Sequence, residues 1–348
     1  MAFRLALAGT GYIARIHARA IKNQPDAEIA AVMTTRSDGA ADFCAEQHIP
    51  RVYANLNDLI QAGEIDALVI CTPNALHAPQ AIQALNAGLA VLVEKPMAMT
   101  AAEAQAMLDA SLSSGSPLMV AHCMRFDTEV NWLKDQLSAG RLGEVYRTKG
   151  YGVHTHWGPS GWFTQKALAG GGALVDMGIH AIDTVRYLLG DPQPVSVYAH
   201  LATRFSDAEV DDTGMLLITW DNGVVSYIES GWWQPHADGP EAATQLYGKQ
   251  GFGSVFPTRL ELPDRAENKI EIVDPGFPYP RPEQDPQEMY DRQMAYFIDC
   301  ARQRRTPVPG GKEGLVNTLV TDMTYASAQS GEVIQRNLIK DSKERHDV

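Results

Sequence analysis

Asp176, His180 and Asp183 stand four and then three residues apart in the stretch Gly170 to Asp191, GGGALVDMGIHAIDTVRYLLGD. Its opening glycines and the closing Gly190-Asp191-Pro192 are helix start and stop signals. Between them Leu174, Met177, Ile182, Val185, Leu188 and Leu189 supply the apolar surface of a buried helix. On an α-helix these spacings stack the three polar side chains on one face. Two carboxylates and an imidazole on an otherwise apolar helix are costly to desolvate unless something pairs with them. Two roles are open for Asp176 and His180: a structural couple, or an acid/base pair whose imidazole takes a hydroxyl proton near neutral pH. What the rest of the chain brings to that face decides between them.

The N-terminal third carries a second chemical signal. Phe3 to Ala8 reads as a short buried strand, Gly9-Thr10-Gly11-Tyr12-Ile13-Ala14 follows, and a helical pattern runs from Ile13 to about Asn23. This is G-x-G-x-x-A at a strand-to-helix turn. Gly9 allows the tight turn, Gly11 lets the backbone approach a pyrophosphate, and Ala14 lets helix and strand pack closely. The phosphates are expected on the helix N-terminus, where free N–H groups favour an anion. Glu28 to Met33 is the second strand, and an NAD site usually ends it with a carboxylate for the ribose. Here Thr34-Thr35-Arg36-Ser37 precede any carboxylate, and Arg36 with the hydroxyls suits a 2′-phosphate, unless it is only a solvated loop residue. NADP(H) is therefore the first choice of cofactor and NAD(H) the second.

The α/β rhythm continues with helices at Asp42–Gln47, Leu56–Gln61 and His77–Ala87, and strands at Ala67–Cys71, Ala90–Val93 and Leu118–His122. Thr100 caps a helix running to about Ser113. In an open parallel sheet ligands sit beyond the carboxyl ends of strands, where Thr72, Asn74 and Lys95 fall. A doubly wound parallel sheet over residues 1–122 is the expected first domain.

Strand-like segments dominate the remainder, 123–348: Val145–Val153, Val195–Leu201, Asp212–Asp221, Val224–Ser230 and Thr244–Gly248. Asn222-Gly223 is a hairpin turn between two alternating runs. An α+β domain with a large, mostly antiparallel open sheet follows, one face covered by the Gly170 helix. Its other face calls for a partner, so a homodimer or homotetramer through this sheet is expected. Helices at Met289–Arg302 and Val316–Ser330 are expected to pack back on the first domain. His154, His156, Trp157 and Trp162 form an aromatic, imidazole-rich loop suited to a carbohydrate, and Trp232, Trp233 and His236 sit at a strand end. Arg125, after the last parallel strand, suits an anionic substrate group or a structural ion pair. His154-x-His156 without a third ligand is a poor zinc pattern, and no metal is expected.

At 348 residues and 45% hydrophobic content the chain exceeds one ordinary core. A formal net charge of −13 argues against a nucleic-acid face. No apolar run is long enough to span a membrane, and the apolar start leads into a glycine turn rather than a cleavage site. Cys44, Cys71, Cys123 and Cys300 form no paired or metal-like spacing, which fits reduced thiols in the cytoplasm.

Gly9–Ala14, Cys71-Thr72-Pro73-Asn74 with His77, Glu94-Lys95-Pro96 and Gly170–Gly190, in that order, resemble the Gfo/Idh/MocA oxidoreductase family, named from glucose–fructose oxidoreductase and inositol dehydrogenase. Phe297, Gly310–Gly314 and Ser327–Val333 match its closing pattern, so the likeness covers nearly the whole chain. The resemblance implies a Rossmann domain, then the sheet domain, and hydride transfer between nicotinamide and a sugar or polyol carbon. It implies Lys95, Asp176 and His180 as the catalytic set, with Thr72, Pro73, Asn74, His77 and Glu94 around the cofactor. Lys95 would then stabilise a developing alkoxide while His180 takes the proton and Asp176 orients the imidazole or holds a substrate hydroxyl. The missing carboxylate after the second strand departs from the NAD pattern. Two other activities stay open: nicotinamide-dependent cleavage of a glycosidic bond, and a silent dinucleotide sensor.

Overall fold

A computed structural model describes residues 2–35, 40–235, 242–278 and 287–336. Strand and helix alternate first: β1 (Phe3–Ala8), α1 (Tyr12–Lys22), β2 (Ala27–Met33), α2 (Ala40–Gln47), β3 (Val52–Tyr53), α3 (Leu56–Gln61), β4 (Ala67–Ile70), α4 (His77–Asn86), β5 (Ala90–Val93), α5 (Ala101–Ser114) and β6 (Leu118–Val120). Next come α6 (Thr128–Ser138), β7 (Val145–Thr155), α7 (Lys166–Ala169) and α8 (Ile179–Leu188). A run of strands follows: β8 (Pro194–Ala202), β9 (Thr213–Trp220), β10 (Val225–Gln234), β11 (Ala242–Gly248), β12 (Phe252–Val255), β13 (Arg259–Asp264) and β14 (Lys269–Val273). Helices α9 (Gln287–Gln303) and α10 (Gly311–Ser330) and the short β15 (Ile334–Gln335) close the chain. Two compact units result, one from Met1–Phe126 and Asp285–Leu315, the other from Asp127–Gln284 and Val316–Val348.

The first unit holds a six-stranded parallel sheet in the order β3-β2-β1-β4-β5-β6. Alternation of side chains splits each strand between two cores. Leu5, Leu7, Val32, Val69 and Leu92 face one side, with Ala14 and Ala18 of α1 and Met294 and Phe297 of α9. Ala6, Ala8, Leu68, Ile70 and Val93 face the other, with Ala81 and Leu85 of α4 and Met107 of α5. Burial on both faces is why these strands read as continuous apolar runs.

The second unit holds a nine-stranded sheet, β14-β13-β12-β11-β7-β10-β9-β8-β15. Its pairs are antiparallel except β7 with β10, which is parallel. Ala181, Ile182 and Val185 of α8 cover one face against Val197, Leu216, Ile218 and Ile228. The helix expected at Val316–Ser330 is the greater part of α10. Its Val320 and Met323 complete this core, because their spacing presents one apolar face to the inner strands, so this segment belongs to the second unit and not the first. On the opposite face Tyr198, Met215 and Leu217 are about half exposed.

Candidate active site

The glycine turn at the end of β1 fits a dinucleotide. Gly9 has φ +105°, and a Cβ there would stand 2.6 Å from the Cys71 carbonyl oxygen, so only glycine serves. Gly11 caps α1 with no side-chain hydrogen bond, and the first turn of α1 holds no carboxylate. Thr10, Gly11, Tyr12 and Ile13 thus surround uncapped N–H groups, and a Cβ on Gly11 would meet nothing within 4 Å. Thr34 and Thr35 follow β2, and the Thr34 N–H donates to the Tyr53 carbonyl at 3.0 Å. Arg36 and Ser37, on which the 2′-phosphate reading depends, lie outside the described residues, as does His236.

At the carboxyl ends of β4 and β5 the other first-unit candidates form one hydrogen-bonded group. Buried His77 sets Nε2 2.9 Å from the Thr72 carbonyl and Nδ1 2.8 Å from the Pro96 carbonyl. A neutral ring donates to only one of them. Burial lowers the His77 pKa, and with Lys95 it prevails over the two carbonyls and Glu94, which favour the imidazolium. The Thr72 hydroxyl donates to Gln80 at 2.8 Å, Pro73 precedes a short turn, and Asn74 is buried within that turn. Glu94 does not open outward: its side chain is buried against His17 on α1, and its second oxygen accepts the Lys95 backbone N–H. Arg125, 4% exposed, belongs to a short turn after β6. A cavity of about 980 Å³ in this unit opens at the amino ends of the strands, around Phe3, Asp66 and Ala90, away from these groups.

In the second unit the stretch from Gly170 departs from the α-helix expected of it. Leu174–Gly178 is a π turn, and α-geometry begins only at Ile179, so Asp176 and His180 lie on successive segments of different helical geometry. Asp211 explains the start. Its carboxylate takes the N–H groups of Gly172 and Leu174, each at 2.9 Å, and its carbonyl takes that of Ala173 at 2.8 Å. Three successive orphan donors of the helix start end on one residue. A Cβ on Gly172 would stand 1.8 Å from the Asp211 carbonyl oxygen, and one on Gly152 of β7 would stand 2.3 Å from the Met177 carbonyl oxygen. The turn is therefore pressed onto glycine on both sides. Burial raises the Asp211 pKa, outweighing the hydrogen bonds from Tyr325, Leu174 and Gly172 that lower it.

Asp176 accepts the indole N–H of fully buried Trp232 at 2.9 Å, and His154 Nε2 lies 3.9 Å from the same oxygen. His180 is half-buried in the first turn of α8. Asp183 leaves the group altogether: it is fully buried and takes the Asn317 amide at 2.7 Å, while the Asn317 oxygen accepts Arg186. His154 is also not in a loop, because β7 runs to Thr155. Past that strand His156 (φ 62°) and Trp233 (φ 54°) are both left-handed where the β7–β10 register breaks. Trp157 stacks on His154 with ring centroids 3.5 Å apart, and Trp162 on Phe163 at 3.9 Å.

Sequence reasoning missed His17, Asp211, Tyr325 and the bond from Trp232. Only Trp232 had a local signal, an indole beside another at the end of an alternating run. Among the described residues no cluster of three or more His, Cys, Asp or Glu side chains is placed to hold a metal, and no helix is long and apolar enough to cross a membrane.

Comparison with known proteins extends the pattern. Residues 3–122 match the GFO/IDH/MocA oxidoreductase family model with an NAD-binding Rossmann fold, and residues 130–252 match the GFO/IDH/MocA C-terminal domain. Inositol 2-dehydrogenase of Rhizobium meliloti (strain 1021) is 30% identical over 94% of this chain and 97% of its own. D-glucoside 3-dehydrogenase of Escherichia coli (strain K12) is 27% identical over 95% of this chain and 97% of its own. A levoglucosan dehydrogenase solved with NADH and levoglucosan shares the fold with TM-score 0.85, at 24% identity over 96% of this chain and 99% of that one.

Proposed function

The chain belongs to the GFO/IDH/MocA oxidoreductase family, and from that premise we propose that it moves a hydride between a nicotinamide dinucleotide and a secondary alcohol or ketone carbon of a sugar, inositol or related polyol. The observation that carries the reading is the setting of Lys95. It stands at the carboxyl end of β5, two strands from the Gly9 turn, with Glu94 on its backbone N–H and His77 on the next carbonyl. A bound nicotinamide supplies the hydride acceptor or donor. Lys95 stabilises the alkoxide and His180 takes or returns the hydroxyl proton. Asp176, held by Trp232, keeps a fixed oxygen for the imidazole or a substrate hydroxyl. His154, His156, Trp157 and Trp162 offer ring faces and imidazoles to a sugar, and relatives named for an inositol and a D-glucoside support that substrate class. Arg125, 4% exposed, keeps two readings, a contact for an anionic group of the substrate and a structural ion pair.

Thr34-Thr35-Arg36-Ser37, with no carboxylate before Asp38, favours NADP(H) ahead of NAD(H). The half-exposed apolar face of the nine-stranded sheet favours a homodimer or homotetramer. Four cysteines that form no disulfide favour the cytoplasm. The test is a panel of polyols and aldoses with NAD and with NADP, following the absorbance of reduced nicotinamide. Substrate-dependent reduction of the dinucleotide is expected. Release of a sugar with no net reduced cofactor moves the activity to glycoside cleavage, and dinucleotide binding with no turnover moves it to a sensor.

A further inference from the structure

His17 lies on α1, six residues beyond Gly11, and its side chain is fully buried. Its Nε2 stands 2.7 Å from Glu94 Oε1, and Glu94 is itself only 7% exposed at the side chain. Glu94 Oε2 accepts the Lys95 N–H at 3.1 Å. Among the described residues His17 Nδ1 meets no partner, and Glu94 is the polar anchor of the ring. On its other side the ring meets Tyr290 of α9 edge-on, with centroids 5.4 Å apart. A carboxylate at this depth is costly unless donors surround it. Burial pushes the Glu94 carboxyl up, but the His17 bond and the Lys95 amine outweigh burial and hold it below its ordinary value. Facing Glu94 are His17 from α1, Cys71 after β4 and Lys95, with His77 of α4 and Tyr290 of α9 at longer range.

We propose that His17 is a positioning residue for Lys95: it holds the Glu94 carboxylate, and that carboxylate fixes the backbone of the lysine. The helix that begins at the glycine turn and the turn that bears the amine thereby form one hydrogen-bonded piece. The inference rests on the reading of Lys95 as the amine that stabilises the alkoxide. His17, fully buried, acts through Glu94.

The test reads Lys95 directly. Lysines are dimethylated with isotope-labelled formaldehyde, the Lys95 resonance is identified by its loss in Lys95→Arg, and its midpoint is followed by NMR through a pH titration. His17→Leu keeps bulk and removes the donor, which favours a neutral Glu94 and takes a negative charge from beside the amine. The Lys95 midpoint is expected to fall by about half a pH unit or more in His17→Leu. It is expected to stay at the wild-type value in His17→Gln, whose amide restores a donor. In steady state His17→Leu is expected to lose about tenfold in kcat with the dinucleotide KM within about twofold, and His17→Gln to recover most of it. An unchanged Lys95 midpoint in His17→Leu overturns the proposal, whatever the turnover. A shifted midpoint in an enzyme that turns over no polyol or aldose supports the positioning and sinks the functional reading instead. Where His17→Leu does not fold, Glu94→Gln is titrated, with the same fall expected and the same unchanged midpoint counting against the proposal.

Discussion

Tyr325 donates its hydroxyl to Asp211 Oδ1 at 2.7 Å, and the same oxygen takes the N–H of Gly172. A residue of α10 therefore anchors the residue that caps the start of the Asp176–His180 stretch. Tyr325→Phe removes one donor from a buried carboxylate and is expected to destabilise the fold by about 1–3 kcal/mol. Gly172→Ala meets the Asp211 carbonyl with no room to yield and is expected to cost about 3 kcal/mol or more. Denaturant unfolding measures both, and wild-type midpoints in either variant would show that the cap is dispensable.

Trp232 isolates the part played by Asp176. Trp232→Phe keeps an aromatic ring in the core and removes the N–H that holds the carboxylate. A loss of about tenfold in kcat/KM for the alcohol is expected, with dinucleotide affinity unchanged. Equal losses in both would point to a general packing defect.

Lys95→Ala is expected to abolish turnover while dinucleotide binding, followed by fluorescence titration, persists. A variant with wild-type kcat would remove the amine from the chemistry.

His77 makes stability depend on pH. Its folded pKa is depressed by burial, below the ordinary 6.5. Above 6.5 neither state holds the proton, so this contribution is fully present; below it the unfolded ring binds a proton that the folded ring resists. Thermal stability is expected to fall as the pH drops from 6.5 towards the folded value, and His77→Gln should flatten that part of the profile. A variant profile parallel to wild type between about pH 7 and about pH 5 would rule His77 out as the source.

Leu217 tests the open sheet face. Tyr198 and Tyr227 are its register partners on β8 and β10, and together they make a cross-strand apolar row. Leu217→Glu is expected to lower the mass seen in sedimentation at matched concentration. A mass identical to wild type would place any self-association elsewhere.

Much of the fold was legible because burial on both faces leaves an unmistakable trace: LALA, ALVI and AVLV needed no partner to be read as strands. The hairpin was equally local, with Asn222-Gly223 between alternating runs and Gly223 at φ +81°. Strands β13 and β14 were missed although Arg259-Leu260-Glu261-Leu262 and Lys269-Ile270-Glu271-Ile272 alternate charged and apolar residues; each run is short, and β14 is almost wholly exposed. Helix α6 was passed over although Asp127 caps it plainly, accepting from the N–H groups of Glu129 and Val130. At the site, Gly9 and Lys95 could be read from motif and strand end. The π turn could not, because Asp211 lies 37 and 39 residues from the donors it caps, and spacing within a segment says nothing about a partner that distant. Asp183 was misread for the same reason: Asn317, which takes it out of the polar face, is 134 residues away.

The parallel-sheet unit is discontinuous in sequence, and synthesis must respect that. When Phe126 leaves the ribosome, Leu5, Leu7 and Val69 have Ala14 and Ala18 of α1 beside them but lack Met294 and Phe297, both wholly buried in the same core in the finished protein. The nucleotide half is thus completed by a helix made after most of the second unit: a fragment ending at Phe126 would leave the part of this sheet face that α9 covers open to water.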